Sequence, residues 1–284
     1  MLFRMDNKTP PPVAIGGIGG SGTRLCAMLL HAWGYYLGDD LNQAMDNLWF
    51  TLLFKRRSVL FDPEPTFQRL VSLFCRRMEE SLSLSNEDLT CLIQLAGAGR
   101  LQDGQDWLLQ RASSFAGDQS SKKPGQPWGW KEPNTHVVID RILPLRPELK
   151  YIHVVRHPLE MAVSKNQNQL ENWGPIFLDR EIVIGPKDSL RYWCMAHRRM
   201  LEIRGSWPDR IMLVQVEQLC ADPRSYGQKI ANFLGTSLDD AVIARFFGFL
   251  NRAASFGRYQ AVDVRQFDAA DLHYVADLGY DLPC

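Results

Sequence analysis

The chain carries no net charge: 32 Lys and Arg balance 32 Asp and Glu over 284 residues. That balance removes the electrostatic footprint of a protein that grips nucleic acid or an anionic membrane. No uninterrupted apolar run approaches the roughly 18–20 residues that cross a bilayer. The opening Met-Leu-Phe-Arg-Met-Asp-Asn-Lys has no apolar core of signal-peptide length. The six cysteines, at 26, 75, 91, 194, 220 and 284, form no close pair and no zinc-ligand spacing. Scattered thiols of this kind fit a reducing compartment. The absences together predict a cytoplasmic protein with no transmembrane segment, no bound metal and no nucleic-acid partner. Internal repeats and low-complexity tracts are also lacking.

The most telling segment is Val13-Ala-Ile-Gly-Gly-Ile-Gly-Gly-Ser-Gly-Thr-Arg24, behind an extended lead-in at Pro10-Pro11-Pro12. A short apolar run enters a glycine-rich turn, and Leu25 to Leu30 follows with helical character. This is a β-turn-α pattern. Backbone amides in such a turn, with the positive end of the helix dipole, make a cradle for a phosphate or sulfate ester.

Residues 41–127 read differently. Leu48, Leu52, Phe67, Leu70, Phe74 and Met78 fall at helical spacing, strand signals are few, and 117–127 is a polar loop. This stretch is predicted to be a helical insertion. The α/β pattern resumes with a short strand in Trp128–Pro133, a helix over His136–Leu143, and a β-branched strand at Tyr151–Val155. A helix is expected from about Pro158, with Ser164 two turns in. Residues 171–187 read as irregular, Leu190–Ile203 as a helix, Ile211–Val216 as a strand, and Ser225–Leu234 as a helix closed by Gly235. Residues 251–267 read as a loop carrying Arg252, Arg258 and Arg265. The alternation predicts one α/β domain over 1–284, with a central parallel sheet between helices. Within it lie a 13–40 phosphate-binding unit, the 41–127 insertion and the 128–284 remainder.

Three kinds of phosphate-binding unit fit the glycine loop. A nucleotide kinase or triphosphatase loop needs a Lys before Ser/Thr, and here Gly22 is followed directly by Thr23. A dinucleotide-binding Rossmann unit matches Gly17-Ile-Gly-Gly-Ser-Gly22 literally, with Asp39 or Asp40 near the place of its ribose-binding acid. The third kind needs more of the chain. Gly19-Gly20-Ser21-Gly22-Thr23, together with Arg156 and Ser164 after the strand Tyr151–Val155, resembles the sulfotransferases that use 3′-phosphoadenosine 5′-phosphosulfate (PAPS). In that family the first loop wraps the 5′-phosphosulfate, and an Arg and a Ser eight residues later grip the 3′-phosphate. Trp130-Lys131-Glu132-Pro133 resembles the Lys-acid-Pro segment of the tyrosylprotein branch. Val214-Gln-Val-Glu217-Gln-Leu219 with Phe233-Leu-Gly235, and Gly257-Arg258-Tyr259, resemble the family's late strand-helix unit and its closing basic loop. Residues 41–127 lie outside the resemblance.

The resemblance implies the P-loop-like sulfotransferase fold and transfer of a sulfuryl group from PAPS to a hydroxyl, less readily an amine. It implies a cofactor site of Gly19, Gly20, Ser21, Gly22, Thr23, Arg24, Arg156, Ser164 and Arg258. Relatives often carry a basic residue where this chain has Gly20, so Arg24 or Lys131 must supply that charge. Their adenine-side Tyr is Val216 here. Lys131 is the expected catalytic cation. Asp40 is the first candidate base, at nearly the interval of the tyrosylprotein branch's glutamate, followed by His136 and then Glu132. Trp49, Phe50, Phe54, Trp173 and Phe177 are either acceptor-pocket walls or core. The arginine pairs 56–57 and 76–77 either meet an acidic acceptor or form solvated helix faces. The acceptor itself, whether small molecule, glycan or peptide hydroxyl, is not encoded in any motif.

Overall fold

The computed structural model describes residues 10–283, apart from 81–82, 99, 101, 118–119 and 251–255, so Arg252 and Cys284 lie outside the described residues. Four strands form one parallel sheet: β1 (Val13–Gly17), β2 (Gly129–Lys131), β3 (Lys150–Val155) and β4 (Ile211–Gln215). Their spatial order is β2-β1-β3-β4. Ile15 lies opposite Lys131, Gly17 opposite Val154, and Val155 opposite Gln215. The carboxyl ends of all four strands therefore share one edge. The chain leaves β1 for one side of the sheet and returns on the other, which makes the β1/β3 edge the point where the strand order reverses.

Alternation along the strands assigns the faces. Val13, Ile15, Ile152, Val154 and Val214 pack with α1 (Thr23–Ala32) on one side. Ala14, Trp130 and Tyr151 face the other, where the insertion packs. The insertion is helical as expected: α2 (Leu48–Phe54), α3 (Glu64–Glu79), α4 (Asn86–Gly97) and α5 (Gln105–Ala116). Asn47 caps α2 by accepting the Phe50 amide at 2.9 Å. The stripe Phe67, Leu70, Phe74 and Met78 on α3 is buried. Trp49, Phe50, Phe54 and Trp173 are core residues, each 1–2 % exposed, and Phe177 packs edge-on to Tyr192.

The second half runs α6 (Thr135–Ile142), α7 (Pro158–Ala162), α8 (Asn168–Phe177), α9 (Pro186–Ser206), α10 (Val216–Ala221), α11 (Pro223–Leu234), α12 (Asp240–Leu250) and α13 (Ala269–Asp277). Three boundaries differ from the sequence reading. Val216 opens α10 instead of closing β4. Helix α7 stops at Ala162, leaving Ser164 just beyond it, because the Gln167 amide collects the carbonyls of Met161, Ala162 and Ser164 at 2.6–3.4 Å. Residues 168–177 are helical despite Gly174 and Pro175. Proline has no amide to give the carbonyl four residues back, Glu171. Arg57 donates to that carbonyl at 2.8 Å and to Asn172 O at 2.7 Å, so the helix continues. No strand follows α1 before β2 among the described residues, and Asp39 accepts hydrogen bonds from Tyr36 and Ser121. The dinucleotide alternative therefore lacks the second strand that would carry its ribose acid. The five described cysteines are free thiols. No described helix is long and apolar enough to cross a membrane.

Candidate active site

The turn after β1 is left-handed at Gly20 (φ 90°) and Gly22 (φ 89°). At Gly22 a side chain would also collide with Val216, whose Cγ2 would stand 2.7 Å from its Cβ. Val216 is thus packed against the loop. Ser21 N donates to Ile18 O at 3.0 Å and Leu25 N to Gly22 O at 2.9 Å. Among the described residues, the amides of Gly19, Gly20, Gly22, Thr23 and Arg24 meet no protein acceptor. The buried Ser21 Oγ has no partner either, and no side chain caps α1. Unsatisfied donors around a buried hydroxyl at a helix start are the chemistry of an anion site. Arg24 stands exposed in the first turn of α1.

Arg156 leaves the end of β3 and donates through Nη1 to Gly20 O at 3.3 Å. Its Nη2 pairs with Glu160, which is buried on α7. The Ser164 hydroxyl lies 3.6 Å from where a Gly20 Cβ would be, so it borders the loop. The Arg258 guanidinium stands 3.9 Å from Glu160 Oε2. Arg156, Ser164, Arg258 and the glycine turn, far apart in sequence, are brought to one edge. His157 supports them: its amide donates to Glu217 at 2.8 Å, its Nε2 to Asp281 O at 3.0 Å, and its ring stacks on Tyr259 at 3.9 Å. Burial holds the pKa of that imidazole below the ordinary value.

Lys131 ends β2 only 2 % exposed. Its Nζ donates to Ala44 O at 3.0 Å and pairs with Asp46. Asn42 shapes that turn, bonding the Asp46 carboxylate at 2.8 Å and accepting the Ala44 and Asp46 amides. The neighbouring amides of Asn47 and Leu48 donate to Lys131 O and Asp40 O, which joins Asp40 to the same loop. One Asp40 oxygen meets Arg111 at 3.0 Å, and the other is buried without a partner.

Glu132 follows Lys131, 3 % exposed, and accepts both the Asn134 amide at 2.6 Å and its side chain at 2.7 Å. Trp173 in turn donates to Asn134 at 2.7 Å. Burial, reinforced by Asp46, lifts the Glu132 carboxyl to about 7, against the opposing pull of Lys55, Asn134 and Lys131. His136 is in a different situation. Its ring is 1 % exposed, within 3.3 Å of Gln169 and 3.4 Å of Tyr192. Burial, then the nearby Arg199 charge, lowers it to about 3. Gln169 also donates to Gly17 O at 3.2 Å, so His136 braces the glycine loop from beneath.

A cavity of about 510 Å³ opens one turn along α8 from Gln169, lined by Lys55, Arg57, Arg100, Gln102 and Asn172 among others. Its cations have structural partners: Arg100 caps α2 through Thr51 O and Leu52 O, and Lys55 faces Asp103 at 3.7 Å. Arg56 pairs with Asp62, Arg76 with Asp88, and Arg77 lies over Trp49.

Three residues that sequence reasoning missed are Asp46, Gln169 and Glu160. Only Glu160 had a visible signal, its place four residues after Arg156 on the expected helix.

Comparison with known proteins places this fold. The profile described as the Sulfotransferase family matches residues 11–240. The sulfotransferase domain of the Synechococcus PCC 7002 olefin synthase superposes with a TM-score of 0.51 at 19% identity, covering 98% of both chains. The sulfotransferase domain from the curacin biosynthetic pathway gives 0.50 at 14%, covering 96% of this chain and 99% of its own. A sulfotransferase of Mycobacterium tuberculosis gives 0.50 at 14%, covering 96% and 78%. These likenesses establish a shared fold. No curated protein matches the chain.

Proposed function

This chain belongs to the sulfotransferase family, and from that premise we propose that it transfers the sulfuryl group of PAPS to a hydroxyl acceptor by direct in-line displacement. The observation that carries the reading is a pair of anion grips across the β1/β3 edge. One is the Gly19–Thr23 cradle, with its unpartnered amides and Ser21 hydroxyl. The other is the convergence of Arg156, Ser164 and Arg258. Two grips suit a nucleotide with phosphate groups at both its 5′ and 3′ positions. ATP and NAD, which have no 3′-phosphate, leave one grip unused.

When bound, PAPS supplies the sulfuryl group and a bisphosphate leaving group. By analogy with phosphoryl transfer, the protein's task is positioning and charge stabilisation. Lys131 provides the buried cation at the sheet edge, and Arg24 adds the positive charge that Gly20 cannot. For the proton acceptor we favour Glu132 over Asp40. Glu132 adjoins Lys131 and its carboxyl sits near neutrality, where a general base works best. Asp40 is paired with Arg111. His136 serves as a brace, since a ring lowered to about 3 is a poor proton acceptor.

Arg156→Ala is expected to raise the dissociation constant of 3′-phosphoadenosine 5′-phosphate (PAP) about 10- to 100-fold, and Ser164→Ala about 3- to 10-fold. Calorimetric titration reads both. Unchanged affinity in both variants would remove the second grip and the reading with it.

A further inference from the structure

Glu160 takes no part in the scheme above, yet it is the most heavily donated-to carboxylate at the site. It lies one helical turn after Arg156 on α7 and is 1 % exposed. A carboxylate so far from water must be matched by donors. Its donors come from two segments far apart in the chain, at Arg156 and at Gly257–Arg258. Arg156 Nη2 pairs with Oε2. The Gly257 and Arg258 amides both donate to Oε1, the latter at 2.9 Å, and the Arg258 guanidinium lies 3.9 Å from Oε2.

Little apolar burial holds the late segment in place. Phe256 is 39 % exposed, though its ring lies 5.1 Å from the Arg156 guanidinium. The Arg258 side chain is 46 % exposed. Tyr259 stacks on His157, and the Glu160 carboxylate joins this segment to Arg156 by accepting from both. Electrostatics give that tie a second effect. Two guanidinium groups repel each other unless an anion stands between them. The Glu160 carboxylate offsets that repulsion, so both guanidinium groups can stand beside the edge that Gly20 and Ser164 border.

We propose that Glu160 is the positioning residue of a two-guanidinium phosphate clamp, fixing Arg156 and the 256–259 turn so that Arg156 and Arg258 meet one phosphate group. The proposal rests on the reading of a 3′-phosphorylated nucleotide and makes Glu160 the origin of selectivity for that phosphate.

The test is calorimetric titration of wild type and Glu160→Gln with PAP and with 5′-AMP, which lacks the 3′-phosphate. Wild type is expected to prefer PAP. In Glu160→Gln the amide NH2 must face donors on one side, Arg156 or the Gly257 and Arg258 amides, and PAP affinity should fall about 10- to 100-fold while 5′-AMP affinity stays within about twofold. An equal loss for both nucleotides would assign Glu160 a merely structural role and overturn the proposal, as would unchanged PAP affinity. Wild type showing no preference for PAP over 5′-AMP would instead overturn the nucleotide reading, and the proposal with it. If Glu160→Gln does not fold, Glu160→Asp reads the same quantity. Its carboxylate keeps the charge but is one methylene too short to reach both segments. It should lose about 3- to 10-fold for PAP alone, and equal losses for both ligands, or none, would count against the proposal.

Discussion

Lys131 and Glu132 are adjacent in sequence and opposite in chemistry, Lys131 closing β2 and Glu132 following it, and each meets its own partner. Lys131 meets the Asp46 turn, and Glu132 accepts from Asn134 in the turn that follows β2. Lys131→Ala should lower turnover about 100-fold or more while changing PAP affinity much less. Glu132→Gln should show the same split, and in wild type the rate should rise with pH up to about 7 and then level off, following ionisation of this carboxyl. Steady-state rates between pH 5.5 and 8.5 check this. A flat profile, or a Glu132→Gln variant with wild-type turnover, would return the proton-acceptor role to Asp40. Arg156 and Ser164 were legible in the sequence because their spacing is local. Asp46 and Gln169 were not, since each reaches its partner across 85 and 152 residues respectively.

At the scale of elements, composition misled where a distant side chain repaired a local fault. Gly174-Pro175 is a helix-breaking signal, yet α8 passes through it because Arg57 supplies the two donors that its carbonyls use. Arg57→Ala should therefore destabilise the fold by about 1 kcal/mol, a modest figure because the arginine is exposed. Urea unfolding measures it. A loss indistinguishable from zero would mean that α8 tolerates Pro175 unaided. The strand β3 was readable from its β-branched run, and β1 from the glycine turn behind it. The end of α7 was not, because Gln167, which gathers its last carbonyls, lies beyond the helix. Helices α12 and α13 carry no motif and were not anticipated.

At the scale of the whole molecule, alternating strand and helix signals were enough for a parallel sheet between helices. The order β2-β1-β3-β4 follows from crossovers that no local pattern encodes. Acid stability is another global property. His136, His153 and His197 are all buried, with pKa values held down by desolvation, to about 3 for His136 and about 4 for His197. The folded state keeps these rings neutral, whereas the unfolded chain protonates them below about 6.5. Stability is therefore lost as pH falls below about 6.5, by up to about 1.4 kcal/mol per pH unit for each ring. Glu132, with a raised carboxyl, works in the opposite direction between its unfolded value and about 7, one group against three. Melting temperatures should drop clearly between pH 7 and pH 5. An unchanged melting temperature over that range would mean that the rings are not held neutral.

The proposed function requires one edge of the sheet to hold a nucleotide by two phosphate groups at once. Calorimetric titration of the wild-type protein with PAP, ATP and NAD tests it most directly. PAP should bind at one site, at least about tenfold tighter than either of the others. Preference for NAD or ATP, or equal affinity for all three, would contradict it.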